Sequence, residues 1–410
     1  MTTKLFNRNF TLLLFGLISS LFGNIILRFA LSMYILEITG SATIFASLLA
    51  ISIIPTIVLS PLGGILADRA NRRNIMVALD FTTGISILLF CFFLSENNAI
   101  IAIGVLLIIL SILSAFESPT VQACVPQMQE GDNLIRANAM VNQVSAVAGL
   151  AAPILGSVFY TMFGIYPILI ISIICFLATA LIECFIHLEY TPSNKQSGIL
   201  SIIKDDFSAS ILFITKGKPD ILKLLLLVAV INSFVAGIAV VGMPFMIRNI
   251  LGLDATYYGA AESALGAAAI AGSIAAGYLV TKLKPQKLYV LLAVFGITLL
   301  PAGLTFLFNA PVIISYAAII LSFVLSQISA VIFSVFVLSI IQQQTPNDML
   351  GKIMSYVATI TLCAQPLGQM AYGILFDLLS NKSFYILIPT SILLFFIGLL
   401  SKNLFSKLEN

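Results

Sequence analysis

A helix of about 20 apolar residues crosses the hydrocarbon core of a bilayer, and this chain holds twelve apolar runs of about that length or more, separated by short polar breaks. They lie near 9–36, 43–66, 74–95, 99–124, 138–162, 166–187, 221–247, 256–281, 288–308, 312–341, 351–378 and 384–402. Runs this long do not alternate with period two, which excludes the strands of a membrane β-barrel. Composition agrees: 60% of the 410 residues are hydrophobic and 9% are charged. A soluble domain carries roughly 25% charged residues, so this chain has too few to cover a water-facing surface. The expected class is an all-α polytopic membrane protein. The first run, about Phe10 to Leu36, exceeds the roughly 7–15 residues of a signal-peptide core, and no small-residue cleavage site follows, so it is read as an uncleaved first span. The five cysteines (Cys91, Cys124, Cys175, Cys184, Cys363) all fall inside apolar runs. They read as small buried hydrophobes, not as disulfide partners or metal ligands.

Basic residues orient the spans, because Lys and Arg collect on the cytoplasmic side. With the N-terminus inside, all of the 20 Lys and Arg except Arg28, Arg248 and Lys382 fall on the cytoplasmic face or at its edge. An error of one helix would scramble that pattern. The expectation is a multi-pass protein of the cytoplasmic (inner) membrane with both termini in the cytoplasm. The longest polar stretch, about His187 to Asp220, divides the chain into a bundle of six helices (1–187), a cytoplasmic linker with a helical segment (188–220) and a second bundle of six (221–410). The halves look related. Gly64-Ile-Leu-Ala-Asp68-Arg69 aligns with Gly277-Tyr-Leu-Val-Thr281-Lys282 at an offset of 213, and the same offset carries Pro153 onto Pro366. A duplicated unit of this kind is usual in secondary transporters.

Between the second and third spans stands Gly64-Ile65-Leu66-Ala67-Asp68-Arg69-Ala70-Asn71-Arg72-Arg73. This stretch closely resembles the cytoplasmic loop signature of the major facilitator superfamily, G-x-L-a-D-R-x-G-R-R/K. Thr39-Gly-Ser-Ala, Pro119, Leu134–Asn138 and Gly351–Gly368 are similar to the macrolide-efflux branch of its drug:proton antiporters. The resemblance implies twelve transmembrane helices in two pseudo-symmetric six-helix bundles. It also implies that Gly64, Asp68, Arg69, Arg72 and Arg73 form a conformational latch, with Asp68 facing the positive end of a neighbouring helix. Asn71 replaces the usual glycine, and asparagine tolerates the left-handed backbone. A second family signature, G-x-x-x-G-P-x-x-G-G on helix five, is matched in part by Gly149, Pro153 and Gly156, with Ala152 and Ser157 at two glycine positions. Helix four lacks the arginine motif that many proton antiporters carry.

Ionisable residues inside a span are costly and mark functional sites. At about 1.5 Å per residue from each helix midpoint, Arg28 and Glu262 lie about 8–9 Å to the outer side, and Asp80 and Glu117 about 7–8 Å to the inner side. On those heights Arg28 and Glu117 differ by roughly 16 Å and do not pair, whereas Arg28 and Glu262 are level and are expected to alternate between pairing and parting. Glu183 is read as interfacial. Ser20, Asn24, Arg28 and Ser32 form a polar stripe on helix one, matched on helix eleven by Thr361, Gln365, Gln369 and Tyr372. In the resembled superfamily helices one, four, seven and ten line the cavity, with parts of two, five, eight and eleven. Cavity residues are therefore Asn24, Arg28, Ser114, Glu117, Asn232, Gln327, Gln365 and Gln369. Glu117 is the principal candidate for proton coupling, with Asp80 and Glu262 beside it.

Enzyme chemistry lacks its parts. The single histidine, His187, sits at a helix end, so no catalytic triad or histidine-ligated metal centre can form. No Walker loop exists. No cofactor, metal or nucleic acid is expected; the partners are protons, the lipid bilayer and a small amphipathic molecule, and the protein is expected to be a monomer. The reading is a secondary transporter working by alternating access, exporting amphipathic drugs in exchange for protons. An uncompensated Arg28 would repel a cation, which keeps open a lysophospholipid, a siderophore or another anionic or zwitterionic amphiphile. The outside alternative is a non-transporting membrane receptor or scaffold.

Overall fold

The computed structural model describes residues 5–95, 97–188, 219–279, 282–346 and 350–406. Among the described residues the secondary structure is helical throughout. In chain order the long helices are α1 (Arg8–Thr39), α2 (Ala42–Arg69), α3 (Arg72–Phe93), α4 (Ala99–Met128), α5 (Asp132–Phe163) and α6 (Ile165–Glu183). They continue with α7 (Ile221–Ile250), α8 (Ala255–Leu279), α9 (Pro285–Leu307), α10 (Val312–Gln344), α11 (Leu350–Leu378) and α12 (Phe384–Ser406). Eleven of them are long and apolar enough to cross a membrane. The other is α11, whose polar stripe of Thr361, Gln365 and Gln369 lowers its hydropathy. The breaks are short and chemically simple. Gly131 (φ 55°) and Gly164 (φ 73°) turn the chain between α4 and α5 and between α5 and α6, in a backbone region that glycine enters without strain. The linker segment expected to be helical, about 199–215, lies outside the described residues.

The chain groups into two compact units. The first comprises Met1–Thr39, Leu48–Gln196 and Asp254–Ser263; the second comprises Gly40–Ser47, Ser197–Leu253 and Ala264–Asn410. Each unit therefore takes the opening turns of one helix whose remainder belongs to the other. The offset of 213 read from the sequence carries residues 40–47 onto 253–260, close to the stretch of α8 that joins the first unit.

In the first unit α1 packs on α4, α5 and α6, and α3 packs on α4 and α6. Small residues permit the close crossings. Gly156 of α5 lies against Ile26 and Phe29 of α1. Pro119 has no N–H to give the carbonyl of Ala115, one turn back, and Gly63 of α2 lies directly against that exposed carbonyl. In the second unit α9 packs on α10 and α12, and α7 packs on α11. Two stretches of α7, Ala236–Gly242 and Met246–Ile250, are wound as wide π-helix, a form found mostly at functional sites and local distortions. A side chain at Gly237 would run into Tyr372 of α11, and one at Gly242 into Phe376.

The cysteine reading needs correction. All five are free thiols, but only Cys124 is buried, while Cys184 and Cys363 are exposed. An apolar run fixes residence in the membrane and leaves open whether a side chain faces protein or lipid.

Candidate functional site

Three helices of the first unit enclose a cavity of about 650 Å³. From α1 come Leu17, Leu21 and Asn24; from α4 Ser114, Glu117, Ser118, Val121, Gln122 and Val125; from α5 Asn138, Val141, Asn142 and Ser145. On each helix these positions recur at three and four residues, so one face of each points inward. The lining is amide, hydroxyl and aliphatic, with Glu117 its one charged member. The α5 residues were not singled out from sequence. Their signal was there, since Asn138, Asn142 and Ser145 form a polar stripe on an otherwise apolar helix.

Arg28 donates from Nε to the Asn24 side chain at 2.8 Å, and its charge interacts with that of Glu117. Glu262 bonds with the hydroxyl of Tyr258, one turn earlier on its own helix, while its Oε2 has no hydrogen-bond partner. Tyr258 in turn stacks on Phe29 of α1, with ring centroids 5.3 Å apart. Arg28 and Glu262 are thus held by other groups in this structure.

Behind the cavity lie two further acids, Asp80 of α3 and Glu183 of α6, on helices that pack on one another. Both are buried, at 3% and 4% exposure. Glu183 is consequently not interfacial. It is the last residue of α6, but the packing of α1 and α3 over that end shuts it in: Gly16 of α1 approaches its Cγ.

The loop between α2 and α3 does more than hold topology. Asn71 is extended (φ −66°) and caps α3 by accepting from the backbone of Asn74. It serves as an N-cap, and the left-handed turn expected of it is not formed. Arg72 donates to the carbonyls of Ala67 and Ala123, both at 2.8 Å. Arg73 donates to the carbonyl of Cys184 just past α6. The two arginines thus satisfy carbonyls at the ends of α2 and α6 and reach one inside the last two turns of α4. Gly64 has open space around it, Arg69 closes α2, and the side chain of Asp68 lies outside the described residues. On α5, Gly149 also has open space, while Pro153 and Gly156 are buried.

In the second unit a smaller cavity of about 180 Å³ is lined by Asn232 of α7 with Gln327 and Ser334 of α10. Asn232 is turned back on its own helix, donating to the carbonyl of Val228 at 3.0 Å. On α11, Gln365 is half-buried, and Gln369 is buried with its Oε1 unpaired. One residue of this unit escaped the sequence reading altogether. The carboxylate of Asp377, at the end of α11, accepts from the Ser41 hydroxyl (2.6 Å) and from the backbone N–H groups of Ala42 (2.7 Å) and Thr43 (2.9 Å). It caps the start of α2 from the far end of the sequence.

Twelve long helices in two bundles, with ionisable side chains inside the first and a polar cavity beside them, define a polytopic membrane transport protein and not an enzyme. The chain belongs to the Major Facilitator Superfamily, whose family profile matches residues 13–368. It is similar to macrolide efflux protein A of Streptococcus pyogenes, with 22% identity over 91% of each chain. It is also similar to an uncharacterized MFS-type transporter, YkuC, of Bacillus subtilis, with 28% identity over 69% of this chain and 67% of that one. Among solved structures, a bacterial homologue of the iron transporter ferroportin aligns with a TM-score of 0.75 at 19% identity, covering 98% of this chain and 99% of the other. At that identity the likeness speaks for the fold alone.

Proposed function

We propose that this protein is an efflux transporter that moves amphipathic small molecules by alternating access, in exchange for protons. The observation that carries the reading is the cavity of about 650 Å³ in the first unit, polar on three helices and bearing Glu117 as its one charged lining residue. A large, mainly neutral polar lining suits a bulky molecule that offers hydroxyl and ether groups along with apolar surface. A single carboxylate suits a basic amine or a proton, taken in turn. The name of the streptococcal relative points the same way.

In this reading Asn24, Arg28, Ser114 and Glu117 contact or frame the substrate, and Asn232, Gln327, Gln365 and Gln369 are the second unit's contribution. Glu117 is the principal proton carrier. Gly64, Asp68, Arg69, Arg72 and Arg73 act on the balance between conformational states, and Gly149, Pro153 and Gly156 let α5 move against its neighbours. The protein works as a monomer in the cytoplasmic membrane with both termini inside, which the distribution of Lys and Arg supports.

Purified protein in proteoliposomes, assayed with radiolabelled erythromycin as probe, tests the proposal. Wild type is expected to accumulate the probe when an opposing proton gradient is applied. Glu117→Gln is expected to lose that gradient-driven accumulation while retaining exchange of probe across the bilayer. Accumulation that persists in Glu117→Gln would move proton coupling to another group.

A further inference from the structure

The turn between α8 and α9 aligns with the motif loop between α2 and α3, yet it carries different chemistry. At the offset of 213, Asp68 is matched by Thr281, Arg69 by Lys282, and Arg72 and Arg73 by Pro285 and Gln286. In the loop between α2 and α3, Arg72 and Arg73 donate to backbone carbonyls. In the turn between α8 and α9, Lys284 and Lys287 are exposed, and among the described residues their side chains have no hydrogen-bond or ion-pair partner. Lys282 stands 4.0 Å over the Tyr278 ring and donates to that tyrosine's hydroxyl at 2.5 Å, which takes one of its three N–H groups.

Tertiary packing adds a fourth lysine. The last turns of α12, Lys402–Ser406, pack on Pro285–Lys287. Phe405 fixes them there, fully buried and edge-on to Phe333 of α10 with ring centroids 6.0 Å apart. The Lys402 ammonium consequently stands 5.8 Å from the centre of the Tyr289 ring, at the start of α9. Orientation in the membrane depends on how many basic residues lie on a side. It does not require a lysine from the far end of the chain to be set beside this turn.

Two apolar tracks lead up to the lysines along helices long and apolar enough to cross a membrane. On α8, Ile270, Ile274 and Tyr278 are exposed one turn apart and end at Lys282. On α9, Ile297, Val294 and Val290 are exposed on one face that ends at Lys287. An exposed apolar face of a spanning helix meets hydrocarbon, and a tyrosine at its end marks the level of the headgroups. The ammonium groups therefore stand where lipid phosphates lie.

We propose that the turn between α8 and α9, completed by Lys402, binds the headgroup of an anionic phospholipid whose acyl chains lie along the exposed faces of α8 and α9. The charges are complementary: a phosphodiester accepts from Lys284 and Lys287, which have donors to give, and its negative charge relieves the repulsion among neighbouring ammonium groups. A choline headgroup would bring a cation of its own into the cluster, so a lipid with a neutral alcohol beyond the phosphate fits best. The apolar tracks favour a lipid over free phosphate, which has nothing to lay along them. The site depends on these helices lying in a bilayer and is independent of the transport reading.

Native mass spectrometry of the purified, delipidated protein counts bound lipid directly. Titrated with dioleoylphosphatidylglycerol and, separately, with dioleoylphosphatidylcholine, wild type is expected to bind one molecule of the first about tenfold more tightly than the second. Lys284→Gln/Lys287→Gln is expected to weaken the phosphatidylglycerol complex by about tenfold or more, and Lys402→Gln, which leaves the turn intact, by about fivefold. Binding of phosphatidylcholine should change in neither variant. Arg136→Gln removes an exposed cation of α5 and is expected to leave both lipids bound as before. An equal loss in Arg136→Gln would mean general attraction to a basic face and would overturn the site, as would equal affinity of wild type for the two lipids. Undiminished binding in Lys402→Gln would overturn it as well, even if the double variant failed to fold. Displacement of the lipid by millimolar inorganic phosphate would make the ligand a free anion and overturn the assignment to lipid.

Discussion

The two compact units share their packing grammar and differ in what they bury. Both rely on glycine where helices cross closely: Gly63 and Gly156 in the first, Gly237, Gly296, Gly368 and Gly398 in the second. The first unit then places ionisable groups inside its bundle, Arg28, Glu117, Asp80 and Glu183. Among the described residues the buried polar side chains of the second unit are hydroxyls and one amide, Gln369, with no charged group. Its polar contacts are of the kind Thr298 to Ser326 at 2.7 Å and Tyr372 to Thr390 at 2.8 Å. Glu262 of α8 comes from the second half of the chain but falls in the first unit, so the small-residue crossings are shared by both units and the enclosed charges collect in one. The two requirements are physically separable. Helix crossings depend on backbone approach, which either half must achieve to exist at all. An enclosed charge has no such structural necessity, since it is costly in an apolar surround.

The strongest way to break this comparison is a double-mutant cycle in the first unit. Arg28→Gln alone leaves Glu117 without its cation, and Glu117→Gln alone does the reverse. Each is expected to cost roughly 2 kcal/mol in denaturant unfolding of purified protein, and the double variant to recover at least half of that loss. Strictly additive losses would mean that the two charges are not coupled, and the contrast between the units would lose its centre. A comparable cycle on Asn232 and Gln327 has no charge to strand.

Next in size is a steric test in the second unit. A methyl at Gly368 would collide with the backbone carbonyl of Ser233 on α7, whereas one at Gly64 meets open space. Gly368→Ala is expected to lose about 1–3 kcal/mol by overpacking, and Gly64→Ala to change stability little. If Gly64→Ala unfolded the protein, its role in the motif would be conformational strain that its surroundings do not reveal. The smallest expected effect comes from Asp377→Asn. Losing the carboxylate that caps α2 is expected to cost about 1 kcal/mol, the usual value of an N-cap. Hydrogen exchange at Ala42 and Thr43 should rise while exchange elsewhere in α2 stays unchanged. Unchanged protection at those two amides would show that the cap contributes nothing to holding the helix end.

Much of the architecture was legible because the bilayer imposes it. The length of each apolar run sets a span, and glycines at 131 and 164 mark breaks whatever surrounds them. The loop motif was legible as a motif. Its arginines were assigned to topology and a latch, and their bonds to the ends of α2, α4 and α6 were not foreseen. Glu117 and Asn24 were visible as candidates because a polar residue in an apolar helix is conspicuous, and both line the cavity of the first unit. The errors have a common form. Glu183 was taken as interfacial from its place at a helix end, although it is buried. Asp377 was passed over because its partners, Ser41 to Thr43, stand more than 330 positions earlier.

The sequence by itself determined the number of spans and the places where the chain turns, because both follow from local composition and the cost of burying a backbone polar group in hydrocarbon. It also marked which helices carry ionisable groups. Only the tertiary structure decided which of those groups meet. Asp80 and Glu183 lie about a hundred residues apart on helices whose own periodicity says nothing of the other. A hydrophobic stripe orients a helix toward the interior, but within a membrane it does so weakly, since lipid is as apolar as the core. Partner choice therefore falls to the crossings set by Gly16, Gly84 and Gly156, whose effect is felt only when two backbones come together.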